Sequence, residues 1–489
     1  MAVSDLLNLA ALDRMPSATR PRITPGAAAP GIVHLGLGAF HRAHQAVFTE
    51  DAMAEAGGEW GIVGVAPRSP DVVAALEAQD RLYSVTTLAP GGRTTRVLGV
   101  HTGTRVAADD PDAVVTLLAD PRIRIVTLTV TEKAYLLDPA TGRLLIDDEL
   151  RADLETDRAP RTVPGLLIRG LAARRRADAG PITLLSCDNL PSNGDRLRGL
   201  IEHVAAATAV SDWVHDNVTF PCSMVDRIVP ASTPETLAVA AAAIGARDLA
   251  AVCGEPYSQW VIEDDFAAGR PAWDSAGAVF TDDAQPWERL KLRSLNGVHS
   301  AIAYLGALAG YETIAEAVTL PGLLPVLRRF IADDIAPGLT PPDGVSVIEY
   351  GDAVLERFAN PALGHRTIQV AMDGSQKLPQ RVLHTIADRR AAGAIPRWAI
   401  LVVAAWMRFV QGTADDGRSL ALNDPLAERI RARLAAAPST PDGVVDALLG
   451  LDTVFSPELA ADPEVRALLI DWLTALEKHG VVATLGGFS

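Results

Sequence analysis

The hydrophobic rhythm of the chain changes near residue 285. Upstream, short apolar runs bounded by glycine, proline or polar residues recur: Gly31-Ile-Val-His-Leu35, Gly61-Ile-Val-Gly-Val-Ala66, Arg124-Ile-Val-Thr-Leu-Thr-Val130, Ile182-Thr-Leu-Leu-Ser186 and Ala278-Val-Phe280. Runs of this length, rich in β-branched residues, read as buried strands, and alanine-rich helical stretches such as residues 234–246 stand between them. That alternation predicts repeated β-α units around a parallel sheet. Downstream the period becomes 3.6, and helices are expected at residues 286–309, 314–332 (broken near Pro321-Gly322), 346–358, 376–392, 397–411, 425–437, 441–450 and 463–480. The turns at Pro337-Gly338 and Pro341-Pro-Asp-Gly344 read as connectors inside the helical part. The expected organisation is an α/β unit over residues 1–285 and a mostly helical unit over residues 286–489.

Two segments carry candidate chemistry. The first apolar run enters Gly36-Leu-Gly38-Ala39-Phe40-His41 and a predicted helix over residues 41–56. Two glycines there permit a tight turn and close approach of a pyrophosphate to a helix N-terminus, where free N–H groups favour anions. The third glycine of the G-x-G-x-x-G pattern falls at His41, so an ordinary strand-turn-helix is the competing reading. The second segment is the helix over residues 286–309, in which Pro286 suits a first turn and Leu290, Leu295, Val298, Ile302 and Leu305 keep helical spacing. On an α-helix Asn296 lies about 140° and His299 about 80° around from Lys291, so the three reach toward one region. Oxidation of a secondary alcohol needs a base for the hydroxyl proton and donors for the developing alkoxide, roles that Lys291 and the pair Asn296 and His299 suit. The plainer reading is a solvated lysine, a helix-face amide and a core histidine.

Six pieces in order, Gly36-Leu-Gly-Ala-Phe-His-Arg-Ala-His-Gln45, Ala78-Gln-Asp-Arg-Leu-Tyr83, Thr129-Val-Thr-Glu-Lys-Ala-Tyr135, Ser186-Cys-Asp-Asn-Leu-Pro-Ser-Asn-Gly194, Lys291-Leu-Arg-Ser-Leu-Asn-Gly-Val-His-Ser300 and Met372-Asp-Gly-Ser-Gln-Lys-Leu-Pro-Gln-Arg381, resemble the polyol-specific long-chain dehydrogenases. That family includes mannitol 2-dehydrogenase and fructuronate reductase. The resemblance implies an N-terminal Rossmann-type NAD-binding domain, a helical C-terminal substrate domain and a substrate cleft between them. It implies Lys291 as base, Asn296 and His299 as the pair on the reacting oxygen, Asn189 as a substrate contact and Glu288 as a proton relay toward solvent. For Asn189 a turn amide, and for Glu288 a first-turn acid on the helix dipole, are the plainer readings.

In mannitol-type members an arginine and a lysine reach the sugar from the region of residues 364–381. Lys377 stands at the lysine position, while Gln369 stands where the arginine is expected, which points away from a neutral polyol. Arg366, Lys377 and Arg381 suit a carboxylate such as that of mannonate, or else serve as surface charge paired with groups such as Asp373. The expected reaction is hydride transfer at C2 of an open-chain sugar derivative, with mannonate and fructuronate first, mannitol and fructose second, then arabinitol or a phosphorylated polyol. A catalytically inactive nucleotide-binding regulator is the reading from another class, and it predicts a damaged Lys, Asn or His. Cofactor contacts are expected from Gly36, Gly38, Ala39 and Phe40 and from the loop after the second strand. There Asp71 would serve NAD, the expected cofactor, and Arg68 with Ser69 would admit NADP.

Composition narrows the remaining classes. A chain of 489 residues, 48% hydrophobic, can bury more than one core, and a net charge of −16 disfavours nucleic acid or anionic lipid as partner. The expected partner is a small sugar, with the protein a monomer or weak homo-oligomer. The first residues lack a basic-then-apolar leader, and the apolar run over residues 398–407 is far short of the ~20 residues that span a bilayer, so a cytoplasmic enzyme is expected. Cys187, Cys222 and Cys253 are widely separated, which argues against a disulfide framework or zinc ribbon. His34, His41 and His44 are the candidate metal ligands by spacing, and no metal is expected there, because a strand histidine and a helix pair need not face each other and no acid completes a set. None of the six tyrosines has a lysine four residues on, which disfavours short-chain dehydrogenase chemistry.

Overall fold

The computed structural model describes residues 5–136, 145–206 and 208–488. Residues 1–4, cited above as lacking a leader, lie outside them, and the side chains of Glu132 and Lys133 are not described. The chain divides into two compact units, Met1–Gln285 and Pro286–Ser489.

The first unit is built on strands β1 (Pro30–Leu35), β2 (Gly61–Ala66), β3 (Tyr83–Ala89), β4 (Gly92–Leu98), β5 (His101–Val106), β6 (Ile125–Leu128), β7 (Ile182–Ser186) and β8 (Val218–Thr219). Six of them form one sheet in the order β5-β2-β1-β6-β7-β8, and every neighbouring pair is parallel. Counted within that sheet alone the order is 3-2-1-4-5-6, the doubly wound arrangement of dinucleotide-binding folds. The antiparallel hairpin of β3 and β4 is inserted between the second and third of these strands and was not foreseen, because its exposed, threonine-rich second strand has no apolar run. The buried strands explain their continuous apolar sequence: Val33 and Leu35 belong to a core on one face of β1, and Ile32 to a core on the other.

The expected helix over residues 41–56 is two helices, Ala39–Ala43 and Gln45–Ala56. The break lies at His44 (φ −128°, ψ −87°), whose buried ring donates from Nε2 to the Gln259 carbonyl at 2.9 Å. Tertiary hydrogen bonding there overrides local helical spacing.

The named elements of the second unit are all helices, joined by loops, among its described residues. Val298–Leu308 is buried along its whole length and packs on Arg397–Phe409, in which every residue but Arg397 and Arg408 is buried. The expected helix over residues 286–309 is not one uniform α-helix. It runs as α over Gln285–Leu290, as a π-helix over Lys291–Gly297, and as α again over Val298–Leu308. The predicted helix over residues 376–392 is likewise Gly374–Leu378, a π-segment Pro379–Leu383 and His384–Ala391. Pro379 has no N–H for the α ladder, and the wide turn begins at it. No helix among the described residues is long and apolar enough to cross a membrane.

Candidate active site

In the first unit, the turn after β1 lies at the point where strand order reverses, between β1 and β6. Gly36 has φ +107°, and a Cβ there would lie 2.1 Å from the Thr129 carbonyl oxygen, so the turn tolerates no side chain. Gly36 N and Leu37 N donate to the Val65 carbonyl at 2.9 and 3.3 Å, which ties the turn to the end of β2. Gly38 precedes Ala39–Ala43 with no side chain capping that helix, and a Cβ at Gly38 meets nothing closer than 3.8 Å. Backbone N–H groups at an uncapped helix start, reached over a bare glycine, fit a pyrophosphate. Ala39 and Phe40 are half-buried beside it, Phe40 stacking on the His44 ring at 5.0 Å.

Beneath the turn lie three buried imidazoles. His34 Nε2 contacts the Gly36 carbonyl (3.0 Å) and Thr129 Oγ1 (2.9 Å), and Nδ1 contacts Thr127 Oγ1 (2.8 Å). His34 stacks on His41 at 3.4 Å, and His41 Nε2 lies 3.1 Å from His101 Nε2. Burial pushes the His34 and His101 pKa values down to about 3 and that of His41 well below its usual value. These rings are neutral supports for the glycine turn. His44 points instead at the Gln259 carbonyl, and among the described residues no group of His, Cys, Asp and Glu is arranged to hold a metal ion.

At the ends of β6 and β7, the buried Asp188 carboxylate accepts Thr131 N (2.8 Å), Val130 N (3.2 Å) and the Tyr135 hydroxyl (2.9 Å), joining the two loops. Asn189 follows it, exposed, beyond the carboxyl end of β7. Asp188 and Tyr135 were inside recognised motifs, but nothing in their spacing distinguished them from their neighbours. The three cysteines are free and buried, their thiol pKa values raised by that burial.

In the second unit Lys291, Asn296 and His299 are all buried, at 7, 7 and 8% exposure, on one continuous helical segment. The π-turn alters the geometry expected from an α-helix. With i→i+5 bonding, residues five apart approach alignment as residues four apart do in an α-helix, so Asn296 comes nearer to Lys291 around the axis than about 140°. Gly297 permits the packing: a Cβ there would lie 2.8 Å from the Arg381 carbonyl oxygen. Arg381 in turn donates from Nη1 to Ser300 Oγ at 3.1 Å.

The His299 ring stacks on Phe358 (4.4 Å) and lies 5.2 Å from His365. Burial first, then His365, Arg381, Lys377 and Arg357, hold its pKa well below the usual value, so it is neutral. Asn296 Nδ2 and His299 Nε2 are buried with no hydrogen-bond partner among the described residues. A buried polar atom left this way costs about 1–3 kcal/mol, which makes both suited to an oxygen arriving from outside the chain.

The expected substrate cations divide. Lys377 donates to the Met372 carbonyl (2.6 Å), lies 3.8 Å from Asp373, and acts on His299 together with Arg381. Arg366 is exposed and pairs with exposed Glu312 at 3.6 Å, and Gln369 is exposed in the following short helix. Glu288 is half-buried in the first turn of the segment. Phe358, His365, Arg357 and Ser300 border the trio without having been singled out; His365, beside Arg366 in a recognised segment, was the one with a visible signal.

A parallel sheet with a glycine turn at its switch point, and a buried Lys-Asn-His set in a helical unit, define the class of nicotinamide-dependent alcohol oxidoreductases. Residues 30–275 match the mannitol dehydrogenase Rossmann domain and residues 283–476 the mannitol dehydrogenase C-terminal domain, and the chain belongs to the mannitol dehydrogenase family. It is 41% identical to D-mannonate oxidoreductase of Escherichia coli (strain K12) over 88% of this chain and 89% of that one. It is 38% identical to mannitol 2-dehydrogenase of Cereibacter sphaeroides over 96% of this chain and 99% of that one. The solved Pseudomonas fluorescens mannitol 2-dehydrogenase, a ternary complex with NAD and D-mannitol, superposes with a TM-score of 0.86 at 35% identity, covering 98% of this chain and 99% of that one. The expected family and the expected order of a Rossmann unit followed by a helical unit hold.

Proposed function

We propose that this polyol or sugar-acid dehydrogenase interconverts D-mannonate and D-fructuronate with NAD(H). The observation that carries the reading is the buried trio of Lys291, Asn296 and His299, with Asn296 Nδ2 and His299 Nε2 unpartnered and Arg381 and Lys377 acting on His299. When bound, NAD supplies the acceptor for the hydride that leaves C2. The Gly36–Gly38 turn would hold its pyrophosphate, with Ala39 and Phe40 alongside. Lys291, as the neutral amine, takes the proton of the C2 hydroxyl as the C2–H bond breaks, leaving a ketone; the reverse direction returns that proton. Asn296 donates to the oxygen through Nδ2, and neutral His299 donates through Nε2 in the tautomer that carries its hydrogen there. Glu288, a helical turn before Lys291, passes the proton on to solvent. Asn189 and the cations Lys377 and Arg381 orient the substrate, the cations meeting its carboxylate, which is C6 at the far end of the chain in the numbering that makes the reacting carbon C2.

A neutral polyol substrate, mannitol with fructose, is the second reading, favoured by the likeness to the mannitol 2-dehydrogenases. Arabinitol and phosphorylated polyols stand behind it. The retained trio argues against a regulator without chemistry. The test is nicotinamide absorbance with fructuronate, tagaturonate, fructose, mannitol and arabinitol. A kcat/KM at least about tenfold higher for fructuronate, ~1.4 kcal/mol, supports the carboxylate reading, and a preference for fructose or mannitol overturns it.

A further inference from the structure

The adenosine end of a dinucleotide in this fold is recognised at the carboxyl end of the second sheet strand. An acid there accepts the ribose hydroxyls of NAD, and an arginine receives the 2′-phosphate of NADP. In this protein that strand is β2, and its end is tied to the glycine turn through the Val65 carbonyl. The four residues after Ala66 are Pro67, Arg68, Ser69 and Pro70, which bring a guanidinium and a hydroxyl and no carboxylate.

The loop's backbone is committed. The Ala66 and Pro67 carbonyls accept from Ala107 N (2.9 Å) and Ala108 N (3.2 Å), just past β5, and the Pro70 carbonyl accepts from Ala74 N (2.8 Å). Two prolines stiffen it further. The side chains of Arg68 and Ser69 are exposed, and among the described residues Arg68 has no ion pair or hydrogen bond. By contrast Arg81, on the far side of the next helix, is spent on Glu77 at 3.0 Å, and Arg96 on Asp51 at 2.6 Å. The first acid after β2 is Asp71, five residues on and exposed, where it opens the helix Asp71–Glu77.

We propose that residues 67–70 form a 2′-phosphate subsite in which Arg68 and Ser69 bind the adenosine 2′-phosphate, so that the enzyme accepts NADP(H) as well as NAD(H). A planar guanidinium matches a phosphate through two parallel N–H···O bonds, and the serine hydroxyl adds a third donor. This specificity rests on the dinucleotide-binding reading of the first unit.

The test is calorimetric binding of 5′-ADP and 2′,5′-ADP to the full chain, without substrate, in wild type, Arg68→Gln and Asp71→Asn proteins. The expected result is 2′,5′-ADP binding at least about tenfold more tightly than 5′-ADP at low salt, with the preference shrinking as salt rises. Arg68→Gln removes that preference and leaves 5′-ADP affinity within about twofold, and kcat/KM for NADPH falls in step while that for NADH holds. Wild-type protein that binds 5′-ADP at least as tightly as 2′,5′-ADP overturns the subsite, and an order that then reverses in Asp71→Asn makes Asp71 the ribose acceptor. Failure of both nucleotides to bind defeats the dinucleotide reading itself, a result distinct from simple NAD selectivity. A preference that survives Arg68→Gln also overturns the assignment.

Discussion

Each unit contains a buried histidine-centred region, and the two differ in their surroundings. In the first, His34, His41 and His101 are 0–2% exposed, and in the second His299 is 8% exposed. Burial lowers the pKa in both places, so a depressed imidazole alone identifies neither as a site of chemistry. An unpartnered ring nitrogen does not separate them either, since His41 Nδ1 and His101 Nδ1 are buried without a partner among the described residues, as His299 Nε2 is; the difference lies in the neighbours. Both nitrogens of His34 are used within the chain, on Thr127, Thr129 and the Gly36 carbonyl, where they stabilise a backbone turn. His299 Nε2 and Asn296 Nδ2 have no such partner among the described residues, and cations border them. In the first unit the imidazoles pack on one another under a backbone turn, whereas His299 shares one helical segment with a buried lysine and a buried amide and has cations around it, a set suited to a substrate.

The strongest way to break this contrast is Lys291→Ala. Turnover should fall on the order of 10²–10⁴-fold while ADP binding and thermal midpoint stay near wild type, and unchanged turnover would remove Lys291 as base. Asn296→Ala should lower kcat about 10²–10³-fold with KM moving much less; a KM-only effect would make it a ground-state contact. Gly297→Ala places a methyl group against the Arg381 carbonyl, so denaturant unfolding should show a loss of about 1–3 kcal/mol, and full stability would mean that the π-turn is not set by that approach.

The pH dependence of stability separates the supporting histidines from the rest. His34 and His101 titrate near 3 when folded and near 6.5 when unfolded, so between those values the unfolded chain binds more protons. Their contribution is complete above about pH 6.5 and is lost as pH falls toward about 3. Glu50, raised by burial to about 7, acts in the opposite direction between about 4.5 and 7. His34→Gln should therefore flatten the dependence of unfolding free energy on pH below 6.5, by up to about 1.4 kcal/mol per pH unit. Urea titrations at pH 4.5 to 7 would read this, and parallel curves for variant and wild type would refute it. The smallest effect is expected at Arg366: Arg366→Ala should change KM for fructuronate by less than about twofold, whereas Lys377→Ala and Arg381→Ala should raise it about tenfold. A large Arg366 effect would move the carboxylate site to the surface near Glu312.

Local pattern was enough for what depends on local forces. Apolar runs located β1, β2, β6 and β7 because strands buried on both faces must be continuously apolar. Glycine at positions 36 and 38 marked the turn because no other residue fits the Gly36 backbone and its contact with Thr129. The order Lys291, Asn296, His299 was likewise legible, since one helical segment carries all three.

What sequence reading missed depends on partners distant in the chain. The break at His44 follows from the Gln259 carbonyl, and Gly297 meets the backbone of Arg381 inside the π-turn. The pairing of Arg366 with Glu312, and the action of Lys377 and Arg381 on His299, likewise involve partners outside their own segment. By itself the sequence determined the two-part architecture, the glycine turn and the order of the candidate side chains Lys291, Asn296 and His299 along one helical segment. Only the tertiary structure decided the pitch of the helix that bears them, the cations that act on His299 and the stacking of the buried imidazoles beneath the glycine turn, because packing and hydrogen bonds between distant segments are not encoded in any local period.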